Sequence, residues 1–311
     1  MVAETHTVVR AGWPCGVWVF RRLKMLLSEY WDGSYWPSCG LLRECTRVGY
    51  ASAWERHIRP VLGSVELSGL TAPRVQAWMD GIGSAGAARK AWAVLRQMLR
   101  TAVRLGVLDV DVTGRVTPPK PSGYEPQVLD IRQIRTLLRG FHGHELEAWL
   151  VCSVTLGLRT EEALGLEWSD VNLNTGKVRI RRGVQWISGH EVVVEPKTEL
   201  SRRTVVLPRF AVIRLREIRP TGGGRLVGAL NPGQVARRYT AWCRSQDLPY
   251  VPRRNLRHSW ASTALAAGVD VAVVSRALGH SSIATTARYY LRPDSEVLRE
   301  AQRAWERTLI R

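Results

Sequence analysis

Between Thr113 and Gln127 the chain carries Pro118, Pro119, Pro121 and Pro126, with Gly114, Ser122 and Gly123 among them. Each proline fixes φ, removes a backbone donor and pushes the preceding residue away from the helical region. With no periodic apolar residues to hold it, such a stretch can neither prolong a helix nor join the middle of a sheet. It predicts a semi-extended linker. The chain should therefore fold as two domains, which is also the soft expectation for 311 residues. The boundaries this implies are an extension of unassigned role over 1–25, a helical domain over 26–113, a linker over 114–127 and a second domain over 128–311.

Upstream of the prolines the apolar spacing is helical. Thr46 is a suitable N-cap, followed by Val48, Ala51, Trp54 and Ile58 up to Pro60. Thr71 opens a second helix with Val75, Trp78 and Met79 on one face. A longer one runs from about Ala87 to Leu105, with Trp92, Leu95, Leu99, Ala102 and Val103 inward and Gly106 as its stop. Arg89, Lys90, Arg96, Arg100 and Arg104 fall on its other faces. Such a row suits either a solvated helix face or a surface turned to DNA, and the basic whole tips the reading to DNA.

Downstream, Asp130 caps a helix with Ile131, Ile134, Leu137 and Leu138 inward, and another covers roughly Glu145 to Leu156. Three short β-branched runs follow, at Val178–Arg181, Val192–Val194 and Thr204–Leu207. Helices resume from Pro208, near Asn231 to Ser245, and from Asn255 onward, with breaks at Gly268, Gly279 and Pro293. The expected fold class is mainly α with a small antiparallel β-sheet: an all-helical domain, then a mixed α+β domain.

Lys and Arg number 45 against 27 Asp and Glu, a formal net charge of +18. That balance says nothing about fold but predicts an anionic partner and salt-dependent association. Five scattered cysteines without a C-x-x-C pair support neither a disulfide framework nor a zinc site. No apolar run approaches the ~18 residues that span a membrane. The patch Val17–Phe20 is preceded by Arg10 and followed by Arg21 and Arg22, unlike a signal peptide. A cytoplasmic, reducing location is the expectation. Neither a carboxylate cluster for a metal nor a phosphate-binding glycine loop is present, so no metal and no cofactor is expected.

Several groups could carry chemistry. Arg159 stands where Gly157 ends one apolar helix and a second begins, with Glu161 and Glu162 just behind it. Lys197 lies in Glu195-Pro196-Lys197-Thr198-Glu199, between two strand runs, where a lysine is ordinarily only solvated. Arg253-Arg254-Asn255-Leu256-Arg257-His258 gathers cations at a helix start, a setting that suits phosphate. His280 follows Gly279, and Tyr289 and Tyr290 lie beyond it. Alone, each has a structural reading as a cap, a solvated charge or a packing aromatic.

Taken together and in this order, Gly157-Leu158-Arg159-x-x-Glu162, Lys197, Arg257-His258, Leu278-Gly279-His280 and Tyr289 resemble the tyrosine recombinase family, the phage integrases in particular. Residues 50–112 also resemble the family's helical core-binding domain, so the likeness covers all but about the first 25 residues. The resemblance implies that Arg159 and Arg257 are the catalytic arginines, Lys197 the hairpin lysine, His280 the histidine of the Leu-Gly-His box and Tyr289 the nucleophile. Arg254 occupies the place where the family usually keeps a histidine. A guanidinium cannot serve as a general base at neutral pH, though it can bind phosphate. Either that base is dispensable here or another group, His258 or His280, replaces it.

The implied activity is site-specific DNA recombination through a 3′-phosphotyrosine, integrating or excising phage-like DNA in a bacterial host cytoplasm. The implied partners are double-stranded DNA attachment sites, a homotetramer formed on them, and accessory DNA-bending or directionality proteins. A terminal amphipathic run (Val297, Leu298, Ala301, Trp305, Leu309) would pack either on its own domain or on a neighbouring subunit. Two rival readings share the motifs: a type IB topoisomerase-like relaxing enzyme, and an inactive DNA-binding relic of the fold.

Overall fold

The computed structural model describes residues 25–120, 123, 125–195, 201–280, 282–290 and 306, with side chains left aside at 285 and 288–290. The extension over 1–25 thus lies outside the described residues apart from Met25, as do Lys197 and the amphipathic run after 290. The chain divides into two compact units, Met1–Gly123 and Tyr124–Arg311.

The first unit is helical. It opens with α1 (Leu27–Tyr30), a π-type segment (Trp31–Tyr35) and α2 (Trp36–Ser38), none of them expected from the sequence. The signal was present: Leu27, Tyr30, Trp31 and Tyr35 are buried at helical spacing. Trp31 stacks on Trp54 with ring centroids 4.4 Å apart, and on Trp36 at 5.3 Å. The Arg47 guanidinium lies 5.0 Å from the Trp36 ring.

Helix α3 (Glu44–Ala53) begins ahead of Thr46, which sits in its first turn rather than at its cap. It does not stop at Pro60. A π-type turn (Trp54–Ile58) widens the ladder, and Pro60 falls in the first turn of α4 (Arg59–Leu62), where a missing N–H costs little. Val48, expected inside, is exposed. Helices α5 (Ala72–Asp80) and α6 (Ala85–Arg104) bury the faces expected of them, except that Val103 is only half-buried. Arg89, Lys90, Arg96, Arg100 and Arg104 are all exposed.

The second unit starts with α7 (Ile131–Gly140). Asp130 and Gln133 form a reciprocal capping box at its start. Ile131, expected inside, is exposed: at the first helical position it precedes the stripe set by Ile134 and Leu137. Helix α8 (Glu147–Leu156) is buried along almost its whole length and is followed by the short α9 (Thr160–Gly165). Among the described residues the β structure is antiparallel and forms two ladders. Strand β1 (Lys177–Ile180) pairs with β4 (Arg203–Val206), and β2 (Gly183–Ile187) with β3 (His190–Val194). Strand β2 escapes a β-branched search because Gly183 and Gln185 interrupt it. Its hairpin turn is Ser188-Gly189, both at positive φ, the combination that suits a twisted two-residue turn.

The remaining described elements are helices: α10 (Arg209–Ile218), α11 (Pro232–Ser245), α12 (Arg253–Ala266), α13 (Val271–Leu278) and α14 (Ile283–Tyr290). Helix α12 packs on α8 and α13, and α14 packs on α13 and α12. The fold class is as expected, mainly helical with a small antiparallel β component. No helix among the described residues is long and apolar enough to cross a membrane.

Candidate active site

The site is assembled where two helices end. Helix α8 stops at Gly157, which has φ +60°, a conformation that favours glycine. A Cβ there would lie 2.3 Å from the Trp260 ring on α12, so the missing side chain also lets the two helices close up. Helix α13 stops in the same way at Gly279, with φ +68°. A helix C-terminus leaves carbonyls without intrahelical partners and carries partial negative charge. Arginines take these carbonyls. Arg257, on α12 and buried, donates from Nη1 to Gly157 O at 3.0 Å and from Nη2 to Leu278 O at 2.9 Å. Arg159, the N-cap residue of α9, donates from Nη2 to Gly279 O at 2.9 Å. Two residues 98 positions apart (257 − 159 = 98) are thereby drawn to one place and stiffened.

Glu162 ties this pair to the β structure. Its carboxylate accepts from the Arg159 backbone N–H (2.9 Å) and from Arg159 Nη1 (2.8 Å). On its other side Arg203 of β4 donates through Nη1 (3.0 Å) and Nη2 (2.9 Å), in a two-pronged fork. Arg203 also donates from Nε to Ala277 O at 2.5 Å and from Nη1 to Ser201 O at 3.3 Å. The side chains of Arg203 and Glu162 are 8% and 7% exposed, so this is a buried pair with its hydrogen bonds met. Burial alone would raise the Glu162 carboxyl, but the two arginines win and bring it down to about 2. Arg203 therefore links β4, the start of α9 and the end of α13.

His280 follows directly. Its ring Nδ1 lies 2.8 Å from the hydroxyl of Thr286 on α14. Burial disfavours the charged ring, and Arg257, Arg159, Arg203 and His258 add repulsion, so its pKa falls to about 4. At neutral pH His280 is uncharged. The His258 ring is lowered as well, by burial and by Arg257 and Arg254.

Of the residues expected from the sequence, Arg159, Arg257 and His280 come together. Arg254 lies on the exposed side of α12, close enough to repel a proton on His258. The backbone of Tyr289 is in α14, one turn beyond the fully buried Thr286. Its side chain and Lys197 fall outside the described residues. Sequence reading gave no role to Glu162, Arg203 or Thr286. For Glu162 the signal was its position three residues into a helix from an arginine cap. Arg203 and Thr286 fall within the family-like stretches after Lys197 and before Tyr289, but their contacts could not be foreseen, because their partners are 41 and 6 residues away and set by packing.

An uncharged imidazole beside two backbone-anchored guanidiniums suits an oxyanion more than a metal ion or an apolar ligand. Arg159 keeps about a third of its side chain exposed. The class this defines is a protein with an oxyanion-binding site on a basic, two-unit fold.

The model of the phage integrase family matches residues 127–296. The tyrosine recombinase XerD of Mycobacterium leprae is 30% identical over 237 residues, covering 67% of this chain and 70% of that protein. Among solved structures, the Tn1549 transposon integrase in complex with transposon right end DNA is similar in fold, with a TM-score of 0.76 at 14% identity. That likeness covers 91% of this chain and all of the other. A lambda integrase tetramer bound to a Holliday junction gives a TM-score of 0.63 at 17% identity, covering 84% of this chain and 76% of that one. The chain belongs to the phage integrase family. It is a tyrosine recombinase, an enzyme of site-specific DNA recombination.

Proposed function

We propose that Tyr289 is the nucleophile of this recombinase and that Arg159, Arg257 and His280 hold the scissile phosphate. The phenolic oxygen attacks phosphorus as its proton departs. The bond to the 5′-oxygen breaks, leaving a 3′-phosphotyrosine and a free 5′-hydroxyl. Lys197 supplies the proton that the leaving oxygen needs. Religation runs the same steps backwards with a 5′-hydroxyl from the partner duplex, so the ester energy is conserved and no nucleotide is consumed. Negative charge rises on the non-bridging oxygens, and two rigid guanidiniums with a neutral N–H donor meet it without reorganising.

The single observation that carries this reading is the anchoring of Arg159 and Arg257 by the end carbonyls of two helices, with His280 next in the chain. Arg254, in the place of a usual histidine, adds a cation and leaves deprotonation of the phenol to another group. Double-stranded DNA is the partner this implies, bound by the exposed cations of α6 as well as by the site. The lambda integrase tetramer supports a four-protomer assembly exchanging strands pairwise; accessory bending or directionality proteins would act on that assembly.

The test is covalent trapping. DNA recovered from a protein–DNA adduct is sequenced to find the target, and a duplex nicked beside the cleavage point is then offered. Wild type and Tyr290→Phe form the adduct, and Tyr289→Phe does not. An adduct that survives in Tyr289→Phe moves the nucleophile elsewhere. Relaxation of a supercoiled plasmid without recombination of paired sites would support the topoisomerase-like alternative.

A further inference from the structure

We propose that Thr286 is a positioning residue that fixes the tautomer of His280, so that the imidazole faces the scissile phosphate through Nε2–H as a donor and not through a bare nitrogen as a base. The proposal rests on the reading above that His280 meets the phosphate.

A neutral imidazole has one N–H and one bare nitrogen, and the partner of one nitrogen decides the state of the other. Here that partner is a hydroxyl, which can donate or accept. A helical threonine can spend its proton on the carbonyl one turn back. Thr155 donates to Val151 O at 2.6 Å and Thr263 to Ser259 O at 2.8 Å, both in this unit. Thr286 departs from them. It is fully buried, and its one hydroxyl partner among the described residues is His280 Nδ1 at 2.8 Å. If Nδ1 carried the proton, the buried hydroxyl would accept and its own hydrogen would find no acceptor among the described residues, at a desolvation cost. The hydroxyl therefore donates, Nδ1 is bare and Nε2 carries the hydrogen.

The surroundings point the same way. Among the described residues, the groups acting on the ring are three cations and a histidine: Arg257 and His258 from α12, Arg159 at the N-cap of α9 and Arg203 from β4. The three arginines have no proton acceptor to offer it, and all three draw an anionic oxygen towards it. The hydrogen bond also ties the loop after α13 to the helix that carries Tyr289, one turn further along.

Two measurements test this. In full-length protein with ¹⁵N-labelled histidine, His280→Gln identifies the His280 resonances. At neutral pH the ring should be protonated at Nε2, and Thr286→Val should bring in the Nδ1–H form. Protonation at Nδ1 in wild type overturns the proposal. In single-turnover cleavage of the nicked duplex, Thr286→Val should slow adduct formation about tenfold or more, the ceiling being the ~10²–10³ lost with a fixed donor. Thr286→Ser should restore it. In a His280→Gln background, whose amide has N–H donors and no tautomers, Thr286→Val should change the rate by less than about twofold. An equal loss in both backgrounds would show that Thr286 acts only by packing α14 and would also overturn the proposal. An Nε2–H ring in an enzyme that His280→Gln leaves fully active would instead sink the phosphate reading while leaving the tautomer standing.

Discussion

The arginines of α6 and those around Gly157 are the same residue put to opposite uses. On α6, Arg89, Arg96, Arg100 and Arg104 project from an exposed face opposite the buried Trp92, Leu95 and Leu99 stripe, Arg100 reaching Asp111 at 3.5 Å. In the second unit Arg203 and Arg257 are buried and Arg159 is partly so, each held by named backbone carbonyls or by Glu162. On the proposed function the first set would attract DNA by summed charge, which salt screens. The second, on the same proposal, would work by fixed direction in a low-dielectric site, where a donor in the wrong place is worth little. Charge count alone cannot tell the two apart; burial and partners do.

The sharpest way to break this contrast is at Gly157. An alanine there would need a left-handed backbone and would strike the Trp260 ring. Moving that ring displaces the carbonyl that holds Arg257. Gly157→Ala should lose detectable covalent adduct and lower the unfolding midpoint, read by trapping and by thermal melting. Arg257→Lys keeps the charge and removes the fork. It should cost about 10²–10³ in single-turnover cleavage, the loss expected of a fixed donor. A lysine variant with near-wild-type rate would mean that charge suffices and that the anchored geometry is incidental.

Glu162→Gln tests the buried linkage. It leaves Arg203 without its counter-charge, and losing one member of such a pair costs about 3–5 kcal/mol. Denaturant unfolding at neutral pH measures it. The pH dependence has a definite sign. Glu162 titrates near 2 when folded, below its ordinary value of 4.5. The unfolded chain therefore binds the proton first, so its contribution is full above about pH 4.5 and is lost as the pH falls towards 2. The gap between wild type and Glu162→Gln should close over that window. His280 works in the same direction at higher pH, weakening the fold as the pH drops from 6.5 towards 4.

The smallest effects belong to α6. Arg96→Ala should leave stability within about 0.5 kcal/mol. If the face meets DNA, it should reduce the salt slope of binding by about 1, with no effect on cleavage once the DNA is bound. A change in cleavage rate at saturation would erase the contrast.

Much of this was legible beforehand. The helices α5, α6, α7, α8 and α11 follow from apolar spacing and caps such as Asp130 and Asn231, because those signals are local. The residues Arg159, Arg257, His280 and Tyr289 stood out by order and kind. The first aromatic helices were missed because Trp31 packs on Trp54, more than 20 residues on, and the cluster read alone looks irregular. The helix through Pro60 was cut short because a π-type turn can absorb a proline and nothing local announces one. Strand β2 was missed because its pairing depends on a turn, not on β-branched content.

The sequence by itself determined that cations, a histidine and a tyrosine would recur at set intervals in a helical chain, since side-chain chemistry and periodicity are written one residue at a time. Only the tertiary structure decided which arginines are anchored. Helix ends at Gly157 and Gly279 offer unpaired carbonyls, and the segments that satisfy them come from far along the chain. It also decided that His280 is neutral and that Thr286 is its neighbour, because protonation depends on which charges surround a buried ring, and that is a property of packing.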